Sequence, residues 1–332
     1  MSSRPRVLSG IRPTGAGFQL GNYIGAVRSW AQMQDENECF YFVADLHAMS
    51  EDFDPAVLRR RTHESVAELL AMGIDPSKST VFVQSHVPEH TELSWVLTCI
   101  TGYGEASRMT QFKDKSGGSG FVSLGLLAYP ILQAADILIY QADAVPIGQD
   151  QRQHLELTRD LAQRFNSRFG QTFTLPAPYQ AKQGERIKDL QLPEKKMSKS
   201  LGGNGTIWVL DSPEVLTKKI KSAVTDTGRE VVFDEENKPG VSNLLTILSV
   251  ATGKAVPELE AAYAGKGYGD FKADVAEAVV EMLAPLRARF AELMDDPAGL
   301  DEVLAAGAEG ASTVARATMS AVREHVGLLA PR

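Results

Sequence analysis

The sequence predicts an α/β protein in which a doubly wound parallel sheet is followed by a C-terminal all-helical domain. In the first half of the chain, short apolar runs alternate with segments of helical periodicity, and this alternation favours a parallel sheet. After about residue 205, alanine is abundant and only helical periodicity remains. We therefore expect an α/β domain over residues 1–205 and an all-helical domain over residues 206–332.

The apolar runs of the first half predict three strands, at 7–11, 39–44 and 80–83. The run at 39–44 is continuously apolar, which is typical of a strand covered on both faces. Apolar spacing predicts the helices of both halves, at 20–34, 55–72, 91–100, 213–223, 242–251, 256–264, 270–294 and 300–326.

Composition limits the classes of protein to which the chain can belong. It has 332 residues, a formal net charge of −8 and 43% hydrophobic residues, which suits a soluble core and argues against disorder. An acidic chain must bind a polyanion through a local basic patch. Cys39 and Cys99 are the only cysteines, and we expect two buried thiols in a reducing compartment. The N-terminus lacks the apolar core of a signal peptide, and the most apolar window, 121–140, contains polar residues. We therefore predict a cytoplasmic protein without a membrane span.

A first candidate motif joins the first strand to the first helix. Residues 9–15 read SGIRPTG and residues 19–23 read QLGNY, so a glycine-containing loop leads into a helix that begins at a glycine. The N–H groups and the partial positive charge of such a helix end suit a phosphate. Gly21 lets a ring or a ribose approach closely, and Asn22 can donate to an oxygen. Taken alone, an ordinary strand-to-helix connection explains the stretch slightly better.

A second candidate motif is KKMSKS at residues 195–200, followed by glycines. Lys196 and Lys199 can reach the same small anion, and the serines donate through their hydroxyls. Such a loop would stabilise a leaving pyrophosphate in the transition state. A charged linker explains most pairs of lysines at this spacing, but the five-residue string KMSKS is far more specific.

A third candidate motif centres on Asp136, which lies inside an apolar helical run. A buried carboxylate needs a donor, and either a structural partner or a substrate N–H would serve. Tyr129 and Gln151 could fix an amino group nearby. The histidines form no zinc signature, so we expect no metal site and read these as structural: His63, His86, His90, His154 and His325.

Together, residues 19–22 and 196–200 resemble the HIGH and KMSKS motifs of class I aminoacyl-tRNA synthetases. Further strings resemble the bacterial tryptophanyl-tRNA synthetases over nearly the whole chain. They are RMTQFKDK at 108–115, AADIL at 134–138, DQRQHLELTRD at 150–160, KKIKSAVTD at 218–226 and YAGKGYG at 263–269.

The resemblance implies a Rossmann-type catalytic domain and an anticodon-reading helical domain, working as a homodimer in protein biosynthesis. The implied reaction joins L-tryptophan to ATP, with Mg²⁺, to give tryptophanyl-adenylate and pyrophosphate, and then charges tRNA(Trp). Because the substrate carboxylate attacks the α-phosphorus, catalysis consists of positioning and charge stabilisation.

The resemblance also assigns roles to individual residues. Asp136 would accept the indole N–H, Tyr129 and Gln151 would hold the α-amino group, and Leu8, His47 and Gln133 would complete the amino-acid pocket. Lys196, Lys199, Asn22 and Lys115 would be catalytic, with Gln111 near the phosphates. The ATP site would be lined by Arg12, Pro13, Thr14, Gly21, Asn22, Gly148, Gln149, Asp150, Ile187, Lys196, Met197, Ser198, Lys199 and Ser200.

Several positions depart from the bacterial pattern. Arg12 stands where glutamine is usual, Gln19 where threonine is usual and Gln149 where glutamate is usual, and one extra residue lies between the loop glycine and the helix glycine. Leu8 replaces an aromatic residue and Gln133 replaces a methionine beside the indole. We expect these last two changes to make the pocket roomier or more polar, so that ring-substituted tryptophans are tolerated.

Four other functions compete with this prediction. A tyrosine-specific synthetase shares the fold and the chemistry, and a synthetase-like paralogue could differ in amino-acid selectivity. A small-molecule adenylate-forming ligase without a tRNA partner would not need the long helical half. An inactive binding protein of synthetase ancestry would not need an intact KMSKS string.

Overall fold

The computed structural model describes residues 4–15, 17–116, 122–148, 151–179, 187–198 and 202–329, without the side chains of residues 26 and 114–116. Its sheet has five parallel strands in the order β3-β2-β1-β4-β5. The strands are β1 Arg6–Ile11, β2 Glu38–Val43, β3 Ser79–Val83, β4 Ala144–Val145 and β5 Ala177–Pro178. The strand order reverses between β1 and β4, as in doubly wound sheets. The predicted fold class is confirmed; β4 and β5 were not predicted, because strands of two residues leave no pattern.

Helices cover both faces of the sheet and make up the C-terminal half of the chain. In chain order they are α1 Leu20–Asn22, a π-helix Tyr23–Val27, α2 Arg28–Met33, α3 Asp45–Ala48, α4 Pro55–Ala71, a 3₁₀ turn Gln84–His86, α5 Glu89–Thr98, α6 Tyr103–Ser107, α7 Thr110–Ser116, α8 Leu124–Leu138, α9 Arg152–Phe169, a 3₁₀ turn Gly203–Gly205, α10 Pro213–Lys221, α11 Pro239–Thr252, α12 Val256–Ala262, α13 Tyr268–Asp295 and α14 Pro297–Val326.

The strand β2 is buried on both faces, as its apolar run predicts. Cys39, Tyr41 and Val43 belong to one core cluster, while Phe40 and Phe42 belong to the cluster on the other face. The alternation follows from the two-residue period of a strand. The carboxyl end of the sheet is thereby held between two packed layers.

The helix predicted at 20–34 is instead three consecutive pieces, with a π-helix over Tyr23–Val27 between α1 and α2. A π-turn inserts one residue into the helical ladder and occurs often at functional sites. Apolar spacing alone does not distinguish it from a regular helix, since the buried residues still recur every three or four positions.

The C-terminal helices pack back onto the sheet. Helix α13 contacts α4, and α14 contacts α5 and the edge strand β3. At Gly307 of α14 a Cβ atom would lie 1.7 Å from the carbonyl oxygen of Val81, so only glycine permits this approach. Helix α14 therefore covers an edge of the sheet that would otherwise be open to pairing. The division at residues 205 and 206 stays a prediction.

One prediction about the cysteines is wrong. Cys39 is buried, but Cys99 is exposed. Cys99 follows the last residue of α5, and the inward positions of that helix are taken by Leu93 and Leu97. In the part of the chain described, no helix is both long and apolar enough to cross a membrane.

Candidate functional site

A cavity of about 560 Å³ opens at the carboxyl end of the sheet, where the strand order reverses. Leu8, Ser9, Gly10 and Ile11 of β1 line it, together with Val145 of β4. Ligands of doubly wound sheets bind at this point. Of the residues predicted for the site, the cavity is lined by Leu8, Arg12, Thr14, Asn22, His47, Gln111, Tyr129, Gln133, Asp136 and Gln151.

One wall of the cavity is a single face of α8. Tyr129, Gln133 and Asp136 are four and three residues apart, a spacing that aligns side chains on a helix. The helix is capped by Ser123, whose hydroxyl accepts the N–H of Leu126 at 3.1 Å. We call this wall, with Leu8 and His47, the α8 side. The opposite wall, formed by Arg12, Thr14, Asn22 and Gln111, is the loop side.

Asp136 is the centre of a buried hydrogen-bond network on the α8 side. Its side chain is 1% exposed. Its Oδ1 accepts from Gln84 Nε2 and from His90 Nδ1, each at 2.7 Å. Its Oδ2 accepts from His47 Nε2 at 2.8 Å. Because donors approach from three sides, the carboxylate is fixed in place and still reaches the cavity.

The network also determines the charge on Asp136. Burial raises the pKa of this carboxyl group, but the opposing charges and hydrogen bonds of His47 and His90 prevail and lower it to about 2. Asp136 is therefore an anion at neutral pH. Burial and the Asp136 charge both raise the pKa of Tyr140, whose hydroxyl is hydrogen-bonded to His90 Nε2 at 2.7 Å. Because an ionised carboxylate can only accept, His90 Nδ1–H is the donor in its hydrogen bond to Asp136 Oδ1.

Two further polar pairs continue along the α8 side. Burial raises the pKa of Tyr129 to about 12, although the nearby Arg12 charge opposes this. The Tyr129 hydroxyl therefore keeps its proton, and it is hydrogen-bonded to His154 Nε2, 3.0 Å away. Gln133 Nε2 donates to Gln151 Oε1 over a long distance of 3.5 Å. His154, which the sequence suggested was structural, lines the cavity as well.

Close packing shapes the apolar part of the α8 side. A Cβ atom at Gly10 would lie 2.5 Å from Phe42 Cζ, so the missing side chain of Gly10 leaves the room that this ring fills. Phe42 lines the cavity and stacks on Phe82 at a centroid distance of 5.6 Å. The position of the ring is thus set from both sides.

The loop side is more open. Arg12 Nη1 lies 3.0 Å from Glu51 Oε1, and both side chains are 44% exposed. Thr14 is half-buried, and Asn22 is exposed at the end of α1. Gly21 is buried, and its N–H donates to Gln19 Oε1 at 2.7 Å. Pro13 is buried and is not among the lining residues that the structure describes.

The described part of the KMSKS segment forms one arm of a hairpin. Lys196 pairs with Lys188 in an antiparallel bridge, and Asp189 Oδ1 accepts the N–H groups of Gln191 and Leu192 in the turn. Lys196 is exposed, and Ser198 is half-buried with its carbonyl accepting from Thr206.

Not every residue predicted for the ATP site has its side chain at the cavity. The side chains of Ile187 and Met197 are buried in the core, away from the described cavity lining. Gly148 is exposed, and its carbonyl accepts the N–H of Gln151. Gln149, Asp150, Lys199 and Ser200 lie outside the described residues, as does the side chain of Lys115.

Sequence reasoning missed several residues at the site. Gln84 directly follows β3, so the rule that polar residues after parallel strands converge would have found it. Arg61, Ser65 and Glu68 of α4 line the far end of the cavity, and nothing in their helical pattern marks them. Among the described residues, no group of three metal-ligating side chains is placed to hold an ion.

Comparisons with known proteins agree with this site. A profile of the class I tRNA synthetases for tryptophan and tyrosine matches residues 1–284. A tryptophan–tRNA ligase 2 of Streptomyces avermitilis is 56% identical over 331 residues, covering 99% of this chain and 98% of that protein. The tryptophan–tRNA ligase of Leifsonia xyli is 53% identical, covering 100% and 99% of the two chains.

A solved structure is similar over the same length. The tryptophanyl-tRNA synthetase of Campylobacter jejuni, complexed with ADP and tryptophan, is 36% identical, has a TM-score of 0.88 and covers 97% of this chain and 100% of that chain. The chain therefore belongs to the class I aminoacyl-tRNA synthetases, within the bacterial tryptophanyl-tRNA synthetases.

Proposed function

We infer that this chain is a ligase that activates L-tryptophan with ATP and then transfers it to the 3′ end of tRNA(Trp). The observation that carries this is the ionised, buried Asp136 at the switch point of the sheet, in a chain with tryptophan–tRNA ligases as relatives. In the first step a tryptophan carboxylate oxygen attacks the α-phosphorus. The bond to the β-phosphate oxygen breaks, and pyrophosphate leaves with the electron pair.

We propose that Asp136 accepts the indole N–H on its Oδ2 atom. Oδ1 already accepts from two described donors, whereas Oδ2 accepts from His47 alone. An anionic acceptor in a desolvated pocket rejects amino acids that lack a donor at this point, because the acceptor would lose a hydrogen bond. We propose that Tyr129 and Gln151, which line the same cavity, hold the α-amino group.

The triphosphate belongs on the loop side. Arg12, Thr14 and Asn22 line that wall, and the KMSKS segment follows from the hairpin that packs beside α1. We propose that Lys196 and Lys199 meet the β- and γ-phosphates as the loop closes. Mg²⁺ enters with ATP as the counter-ion of its phosphates. No side chain of the chain needs to act as a covalent nucleophile.

The remaining expectations concern assembly. An apolar depression of about 310 Å³ is lined by residues of α3, α5 and α8, and next to it Met49, Trp95 and Leu124 are 51%, 69% and 81% exposed. Exposed apolar surface of this kind marks interaction sites. We propose that a second copy covers it in a homodimer, which a mass measurement by light scattering would test. The helices after residue 205 would read the anticodon of tRNA(Trp), in the cytoplasm.

Amino-acid-dependent exchange of pyrophosphate into ATP tests the activation step. Tryptophan should support exchange, while tyrosine and phenylalanine should not do so at equal concentration. Charging of tRNA(Trp) then separates a synthetase from a ligase that stops at the adenylate. Exchange with tyrosine alone, or none with any amino acid, would refute the proposal.

A further inference from the structure

The side chain of Gln19 joins the two ATP-binding motifs. It is 2% exposed. Its Oε1 accepts the N–H of Gly21 at the start of α1 at 2.7 Å, and its Nε2 donates to the backbone carbonyl of Met197 at 2.8 Å. One amide thus satisfies a free helix N–H and a carbonyl of the KMSKS segment at the same time.

The carbonyl that accepts from Gln19 belongs to Met197, which is also held by its own N–H group and by its side chain. The N–H of Met197 donates to the carbonyl of Ile187 at 3.1 Å, and the Met197 side chain is fully buried. Lys196 and Ser198 flank it on either side. The position of Met197 therefore sets where the charged part of the KMSKS string leaves the core.

Backbone pairing brings the same two regions together but does not replace this bond. Gln19 forms an antiparallel bridge with Trp208, and Leu20 N–H donates to Ile207 at 2.9 Å. These contacts lie after the KMSKS string. Within the described residues, Thr206 Oγ1 also donates to the string, at the Ser198 carbonyl, but Gln19 supplies the side-chain hydrogen bond that reaches it from the start of α1.

We propose that Gln19 is a positioning residue for ATP: it holds the start of the KMSKS loop against α1, whose Asn22 lines the cavity together with Arg12 and Thr14. A threonine at this position can cap Gly21 with its hydroxyl but is too short to reach Met197 as well. The proposal rests on the proposed function. It predicts that ATP binding depends on this bond and that tryptophan binding does not, since Gln19 is not among the described residues that line the cavity.

The variant that isolates this bond is Gln19→Thr, because it keeps a capping oxygen and introduces no charge. A matched control is Gln34→Thr. Gln34 is also a buried amide; its Nε2 donates to the carbonyl of Gly73 at 2.8 Å and its Oε1 accepts from Asp75 N–H at 2.9 Å, away from both motifs.

In tryptophan-dependent pyrophosphate exchange, Gln19→Thr should raise the KM for ATP about tenfold, as expected for a buried carbonyl left without its donor. The KM for tryptophan should stay within about twofold, because the variant leaves the cavity lining intact. Gln34→Thr should lower Tm and change neither KM. Hydrogen exchange over residues 187–198 should be faster in Gln19→Thr than in the wild type, a readout that does not need catalysis.

An ATP KM within twofold of the wild type, equal rises in both KM values, or unchanged hydrogen exchange would each overturn the proposal. If Gln19→Thr does not fold, Gln19→Asn keeps an amide that is one methylene too short and carries the same expectations. Failure of the wild type to use tryptophan would refute the proposed function. Hydrogen exchange over residues 187–198 does not need catalysis, so it would still report on Gln19.

Discussion

The two walls of the cavity are built in opposite ways. On the α8 side, a carboxylate that is 1% exposed is held by donors from three residues. On the loop side, Arg12 pairs with Glu51 across side chains that are both 44% exposed. A desolvated acceptor discriminates strongly between substrates because any mismatch leaves it unpaired. Exposed charges discriminate weakly between ligands, but a large polyanion can bind to them and leave again. The difference in exposure indicates that the α8 side confers the selectivity.

The largest effect should come from Asp136→Asn. An asparagine would present an NH₂ group to one of the donors that now surround the carboxylate, so the network and the indole contact would both be broken. We expect kcat/KM for tryptophan to fall about 10²–10³-fold, the scale of losing a buried polar contact in recognition. Pyrophosphate exchange measures it.

The KM for ATP serves as the internal control for Asp136→Asn, because this residue lies on the α8 side alone. Since the pKa of Asp136 is lowered to about 2, the wild-type carboxylate stays ionised across the assay range. Its titration should therefore leave tryptophan use unchanged from pH 6 to 8. A variant with near wild-type kcat/KM would show that the buried acid does not select the indole.

The contrast between the two walls also shows which parts of the site could be predicted from the sequence. The apolar helical run that contains Asp136 could be read from the sequence, since that pattern is local, although the shared face with Tyr129 and Gln133 was not predicted. The donors to Asp136 come from other elements: His47 from α3, His90 from α5 and Gln84 from the turn after β3. Only the sheet topology brings them within 3 Å of the carboxylate, so a local pattern indicated that a partner was needed but could not say which.

A smaller but still clear effect should follow from Gly10→Ala on the apolar part of the α8 side. The new Cβ would lie 2.5 Å from Phe42 Cζ, and the ring must move toward the cavity or strain its packing on Phe82. We expect the free energy of unfolding to fall by about 1–3 kcal/mol, as for other overpacked cores. Denaturant titration measures this change, and kcat/KM for tryptophan should fall while the KM for ATP holds.

Gly310→Ala is the matched control for this change. A Cβ atom there would meet Thr80 Cγ2 at 3.7 Å, an ordinary contact in the interior of α14. This control should be neutral or slightly stabilising. Equal losses in both variants would mean that glycine replacement itself, rather than the Phe42 ring, is responsible.

A finer test of the same wall is Gln133→Met, which removes the polar group 3.5 Å from Gln151 Oε1. A methionine would fill the space beside the indole with apolar atoms. We expect the ratio of kcat/KM for tryptophan to that for a ring-substituted tryptophan to rise about three- to tenfold, the scale of one group in an apolar pocket. An unchanged ratio would contradict the prediction that Gln133 allows ring-substituted tryptophans to be used.

The smallest effect should come from Arg12→Gln on the loop side, which removes the charge and keeps a hydrogen-bonding side chain. Ion pairs between exposed side chains contribute about 0–1 kcal/mol, so we expect the KM for ATP to change by no more than about fivefold. The KM for tryptophan should not change. Glu51→Gln is the informative partner, because it frees Arg12 for the phosphates and should lower the KM for ATP.

The contradicting outcome would be an Arg12→Gln effect on activation as large as that of Asp136→Asn. In that case the exposure of a side chain would not indicate its contribution to activation, and Arg12 would have to be desolvated when ATP binds. Activation assays at low and high salt decide between these, since an exposed contact weakens with ionic strength and a buried one does so much less.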